Sequence, residues 1–246
     1  MNYADTPEDT LNGVNGHADL LDAAEEVLRK FIAHILQHPT VLKSHPKLQS
    51  WLKYELKIFL LGHITQMEDC AKLSSSTYLP STTYHNWVRN TGANHTSCPY
   101  SFVFYLCLIS KPQEDFGGVR QFYFLEETCR HLSIMCRQYN DFGSVSRDRD
   151  ERNLNSINFP EFETGTGEDS GVVEERKKKE LLQIAEYERR CLDTALGELE
   201  QCLAPGLLRK IKLIVNVTDL YGQIYVARDI GVRKMVNGVS ADHARG

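Results

Sequence analysis

Three residues in one short stretch have the types and spacing to do chemistry. Asn140, Ser144 and Asp148 stand four residues apart within Asn140-Asp141-Phe142-Gly143-Ser144-Val145-Ser146-Arg147-Asp148. On a continuous helix they form one row, each turned about 40° from the last. The row offers an amide oxygen, a hydroxyl and a carboxylate. Such a hard, oxygen-only set suits Mg²⁺, which accepts a few protein ligands beside substrate phosphate oxygens. Arg147 is adjacent, and its planar fork matches a phosphate. From spacing alone, a polar helix face explains the same triple.

The surrounding chain has to position that row. It has 246 residues, 41% of them hydrophobic, ample for a packed core and enough for one large domain or two small ones. A formal net charge of -5 argues against a nucleic-acid binder, which normally shows a basic face. No run reaches the roughly 18 apolar residues of a membrane helix. The opening MNYADTPEDTLNGVNGH is polar and acidic, unlike a signal peptide. The seven cysteines are odd in number and form no CxxC pair. They read as reduced thiols of an intracellular, cytoplasmic protein. His95 and Cys98 make one isolated HxxC, too little for zinc.

Apolar residues at three- and four-residue spacing dominate, which predicts an all-α helical bundle. Residues 1–17 and 237–246 read as flexible tails. Helices are expected over 18–37, 47–73, 80–92, 99–110, 118–150, 172–203 and 207–236. The apolar run 99–110 also fits a buried strand, but Pro99 suits the first turn of a helix. NFPEFETGTGEDSG at 158–171 reads as a linker, and EERKKKE at 174–180 as a solvated helix start.

The stretch 140–148 resembles the second metal motif of class I terpene cyclases, Asn-Asp-x-x-Ser-x-x-x-Glu, with Asp148 in place of the final Glu. The resemblance extends to QYNDFGSVSRDRDERNLNSINFPEF (138–162), NWVRNTGANHTSCPYSFVFY (86–105), the segment around HITQMED (63–69) and DLYGQIYVARDI (219–230). These blocks are similar to fungal bifunctional diterpene synthases of the copalyl diphosphate/kaurene synthase type. They cover most of residues 25–235, as the C-terminal part of the class I α domain, incomplete at the N-terminus.

The resemblance implies a Mg²⁺-dependent lyase of fungal secondary metabolism. It would ionise geranylgeranyl or copalyl diphosphate and cyclise the resulting cation. Asn140, Ser144 and Asp148 would be metal ligands. Arg89, 51 residues before Asn140, together with Arg147, Arg228 and Tyr225, would bind diphosphate. Tyr221 resembles the same late feature. Asn158 and Glu161 fall inside the resemblance, yet their chemistry gives only a turn and a cap. The aspartate-rich first motif is missing from the sequence: Asp5, Glu8 and Asp9 read as a polar tail, Glu68 and Asp69 as surface acids. The isolated chain is therefore expected to be weak or inactive. Its alternatives are a non-catalytic cyclase remnant, a helical binding module, or half of a split cyclase. Expected partners are a prenyl diphosphate and either the missing N-terminal portion or further copies of the chain.

Overall fold

A computed structural model describes residues 7–73, 82–110, 118–163 and 169–227. Among these residues every regular element is helical, as the periodicity predicts. Helix α1 spans Pro7–Leu36, so it already runs through part of the segment expected as a tail. Pro39 opens the short α2, Pro39–Lys43, where the fixed φ of proline suits the first turn and His38 Nδ1 accepts from Thr40 N at 3.2 Å. Helix α3 spans Pro46–Leu73. It buries Leu48, Leu52 and Leu56 on one stripe.

The helix expected at 80–92 is a composite. Helix α4 covers Tyr84–Trp87, a π-helical turn covers Val88–Gly92, and α5 covers Ala93–His95. Thr83 caps its start, its hydroxyl accepting from Asn86 N at 3.3 Å. Helix α6, Cys98–Ile109, settles the apolar run 99–110 as a helix. Phe102, Val103, Leu106 and Cys107 on it are essentially inaccessible to water. Burial of a side chain such as Phe102 contributes about 1.5–3 kcal/mol.

Helix α7 spans Val119–Gly143 and α8 spans Val145–Glu151. The single helix expected over 118–150 is thus interrupted at Ser144, which has φ -125° and ψ 11°. Arg152 then ends α8 in the left-handed region, at φ 57°. That reversal carries the chain back over α7 through two 3-10 turns, Ser156–Asn158 and Pro160–Phe162. The expected linker is therefore partly core. Phe159 and Phe162 are buried against Tyr84, and Phe159 also against Trp87, with ring centroids 4.8–5.6 Å apart. Residues 164–168 of that linker lie outside the described residues.

Helix α9 spans Ser170–Glu200 and α10 spans Pro205–Ala227. Helices α9 and α10 both pack on α7, which lies at the centre of the main core. Two glycines allow the α7–α10 approach. A Cβ at Gly143 would lie 2.9 Å from the carbonyl carbon of Tyr225. One at Gly222 would overlap the Tyr139 ring, with Cε2 3.0 Å away. Arg189 of α9 binds both Tyr139 Oη, at 2.6 Å, and the Asp219 carboxylate of α10, clamping the three helices. Among the described residues, no helix is long and apolar enough to cross a membrane.

Candidate functional site

The break at Ser144 divides the predicted row. Asn140, on the last turn of α7, lines a cavity of about 430 Å³ between the start of α6, the end of α7 and the inner face of α10. Asp148, on α8, borders a second cavity of about 460 Å³ formed with Leu73, Arg152, Asn153, Asn155 and Asn158. Ser144 is fully buried between them, and its Oγ donates to Asp148 Oδ2 at 2.6 Å. Two of the three donors are thus adjacent, while the third opens on the neighbouring cavity.

Asp148 is only 5% exposed. Its Oδ2 also accepts from Asn155 Nδ2 at 2.7 Å, and Oδ1 lies 3.4 Å from an Arg147 guanidinium nitrogen. Asn155 holds the break together, because the same amide nitrogen donates to Asp141 O at 2.9 Å. Asp141 is fully buried as well. Arg137 Nε donates to its carboxylate at 2.9–3.0 Å, and Ser156 N and Oγ donate to Oδ2 at 2.9 and 2.6 Å. Burial pushes the Asp141 carboxyl up, against the pull of Arg137.

As a donor set, an amide oxygen, a hydroxyl and one carboxylate fit Mg²⁺ in kind. They fall short in number and charge: one carboxylate faces a dication. Among the described residues no group of three or more His, Cys, Asp or Glu side chains is placed to hold a metal ion.

The other predicted residues are dispersed. Arg147 is half-buried beside Asp148, with Glu151 3.9 Å away. Tyr225 lines the same cavity as Asn140, together with Tyr221. Arg89 is not among the residues lining that cavity. Its guanidinium binds Glu188 Oε1 on α9 at 2.7 Å, and Glu188 Oε2 in turn meets His131 Nδ1 at 2.6 Å. Arg228 lies outside the described residues. Asp69 pairs with Lys72 at 3.7 Å. Glu161 caps the start of α4, accepting from Tyr84 N at 2.7 Å, and Asn158 Oδ1 accepts from Asn155 N at 2.8 Å, the cap and the turn their chemistry predicts.

The cavity has members that sequence reasoning passed over. Arg137 lines it, only 5% exposed, with its guanidinium 4.8 Å from the Trp87 ring. One of its terminal nitrogens donates to Leu154 O at 2.7 Å and the other lies 3.3 Å from His95 Nδ1. A guanidinium only donates, so His95 Nδ1 accepts and its proton sits on Nε2. Burial lowers the His95 pKa to about 4, helped by Arg137 and by His63, whose ring is 4.3 Å away. His95 is therefore a neutral hydrogen-bond donor on the cavity wall at pH 7. Thr218, Ser101 and the thiols of Cys98 and Cys136 complete the polar lining, and Phe102 and Ile214 lie among the apolar lining. A cavity of this size, mostly apolar with a few convergent polar groups, has the character of a small-molecule site.

Comparison with known proteins supplies the remaining observation. The chain is 40% identical over 218 residues to a pimaradiene synthase of Emericella nidulans, covering 81% of this chain and 22% of that protein. It is 37% identical over 244 residues to an ent-kaur-16-ene synthase of Fusarium fujikuroi, covering 90% of this chain and 25% of the relative. A bifunctional premutilin synthase of Clitopilus passeckerianus is 28% identical over 218 residues, with 81% and 22% covered. The chain thus spans about a quarter of the length of the curated relatives it matches. No family model matches it. No solved structure matches it.

Proposed function

Because this chain is homologous to part of the fungal diterpene synthases, we propose that the cavity between α6, α7 and α10 receives a prenyl diphosphate, geranylgeranyl or copalyl, for loss of diphosphate and cyclisation. The observation that carries this reading is the placement of Asn140 and Tyr225 on one cavity. Asn140, Ser144 and Asp148 would hold Mg²⁺ as one arm of its binding site. Bound Mg²⁺ would supply Lewis-acid stabilisation of charge on the leaving diphosphate.

The chain's own residues do the rest. His95 and Arg137 line the cavity and would offer N–H donors to an anionic head group. Arg147, half-buried beside Asp148, can turn its fork toward phosphate oxygens. The faces of Tyr221, Tyr225 and Phe102 attract positive charge on the hydrocarbon through their ring quadrupoles. The apolar wall keeps water from such a cation.

The chain on its own is a weak or inactive cyclase in this reading, because one carboxylate does not balance Mg²⁺ and diphosphate together. A specific observation favours a second arm supplied by residues outside these 246. Leu213, Val217, Leu220, Tyr221 and Ile224 form an exposed apolar stripe along α10, beside the cavity mouth. Leu61, Ile64 and Met67 of α3 are exposed as well. Among the described residues nothing covers these side chains, and contiguous exposed apolar patches mark interaction surfaces. The occupant would be the acid-rich portion of a longer synthase, on the same or another chain; a chain that never meets it would serve only as a binding module.

Equilibrium binding tests the substrate assignment. Geranylgeranyl diphosphate should bind the chain more tightly with Mg²⁺ than without, and more tightly than geranylgeraniol. Asn140→Ala should remove the Mg²⁺ dependence. Equal binding of the alcohol and the diphosphate would refute the assignment.

A further inference from the structure

A further cavity, of about 290 Å³, lies between α3, the first turn of α6 and α7. It shares no lining residue with the cavity that holds Asn140. Glu55 of α3 and Glu126 and Glu127 of α7 line it, with Arg130 as the one cation among its lining residues. Glu55 is only 5% exposed. Its Oε1 accepts from Trp51 Nε1 at 2.9 Å, while Oε2 is buried without a hydrogen-bond partner among the described residues. A buried carboxylate oxygen left without a donor is costly. We propose that this cavity binds a primary alkylammonium ion, which donates an N–H to Glu55 Oε2.

The chemistry of the wall selects that class. The Arg130 guanidinium is engaged elsewhere: its Nη1 donates to Arg89 O at 3.1 Å and to Asn94 Oδ1 at 2.9 Å. Ser133 Oγ donates to Cys129 O at 2.6 Å. Glu127 Oε2 lies 3.3 Å from His131 Nε2. Three carboxylates against one guanidinium leave the wall acidic. Burial, together with the nearby Glu55 charge, pushes the Glu126 carboxyl up. A cation in the cavity supplies the missing donor and relieves that repulsion. A metal ion is a poorer match, since among the described residues no group of three or more His, Cys, Asp or Glu side chains is placed to hold one. A quaternary ammonium has no N–H for Oε2. Trp51 and Tyr54 add aromatic surface for an ammonium and its alkyl stem. Tyr54 and Glu126 are exposed, so that side of the cavity meets solvent and admits the ligand.

The test is titration of the intact chain with butylammonium chloride at pH 7 and constant ionic strength, read by calorimetry and by tryptophan emission. The chain has two tryptophans, and one of them, Trp51, stands on the wall of this cavity. Butylammonium should bind saturably and shift the emission. Glu55→Gln keeps the side-chain shape and an oxygen for Trp51, and should weaken binding about tenfold. Glu126→Gln, at an exposed position, should weaken it about threefold without disturbing the fold. Neither tetramethylammonium nor Mg²⁺ should compete. The proposal is overturned if butylammonium does not saturate, if both variants bind it as tightly as the parent, or if tetramethylammonium or Mg²⁺ displaces it.

Discussion

Gly222 of α10 lies flat against the ring of Tyr139 on α7, with no room for a side chain between them. Tyr139 is in turn held by Arg189, which also binds Asp219 of α10. This contact sets the distance between the two helices that carry Asn140 and Tyr225, and so sets the cavity width. Gly222→Ala forces the ring or the helix to move and should cost about 1–3 kcal/mol, the usual range for overpacking. Urea denaturation of the variant checks this. Unchanged stability would mean that α10 is not seated on α7 as described.

Arg89, which the resemblance assigns to diphosphate, is ion-paired with Glu188 in this arrangement. Its partner Glu188 is 3% exposed, so removing the guanidinium leaves a buried carboxylate with only His131 beside it. Arg89→Met should lower stability by about 1–3 kcal/mol and leave prenyl diphosphate affinity essentially unchanged. Denaturation and binding measured on the same preparation separate the two roles. Lost affinity at full stability would restore Arg89 to the ligand.

His95 gives the fold a pH dependence of known sign. Its folded pKa of about 4 lies below the ordinary 6.5, so the unfolded chain binds the proton more readily. The stability it contributes is complete above pH 6.5 and is lost as pH falls toward 4. His63, lowered by burial, acts in the same direction. Asp141, raised by burial, acts in the opposite one. His63 and Asp141 are common to parent and variant, so the denaturation midpoint of His95→Gln should fall less between pH 7 and pH 5 than that of the parent. Parallel pH profiles would contradict the assignment.

The helices were legible because long amphipathic stripes such as Leu48, Leu52 and Leu56 repeat at helical spacing. The break at Ser144 was not, since residues 140–148 keep that spacing through it. The break is made by later residues: Asn155 claims Asp148, and Ser156 claims Asp141. The site was half legible for the same reason. Asn140 and Tyr225 share a cavity, but the commitment of Arg89 to Glu188, 99 residues away, leaves no local mark in the sequence. Arg137 looked like any helical arginine, because its importance comes from the cavity and from Asp141, Leu154 and His95 around it.

In the proposed function this chain holds one arm of a diterpene cyclase site and needs the other. The most direct measurement is hydrocarbon product analysis after incubation with Mg²⁺ and geranylgeranyl diphosphate, and separately with copalyl diphosphate. The chain alone should yield at most traces. Adding the acid-rich class I segment of a homologous synthase should restore turnover, and Asp148→Ala or Asn140→Ala should abolish the restored activity. Steady multiple turnover by the chain alone would mean that it already holds both arms.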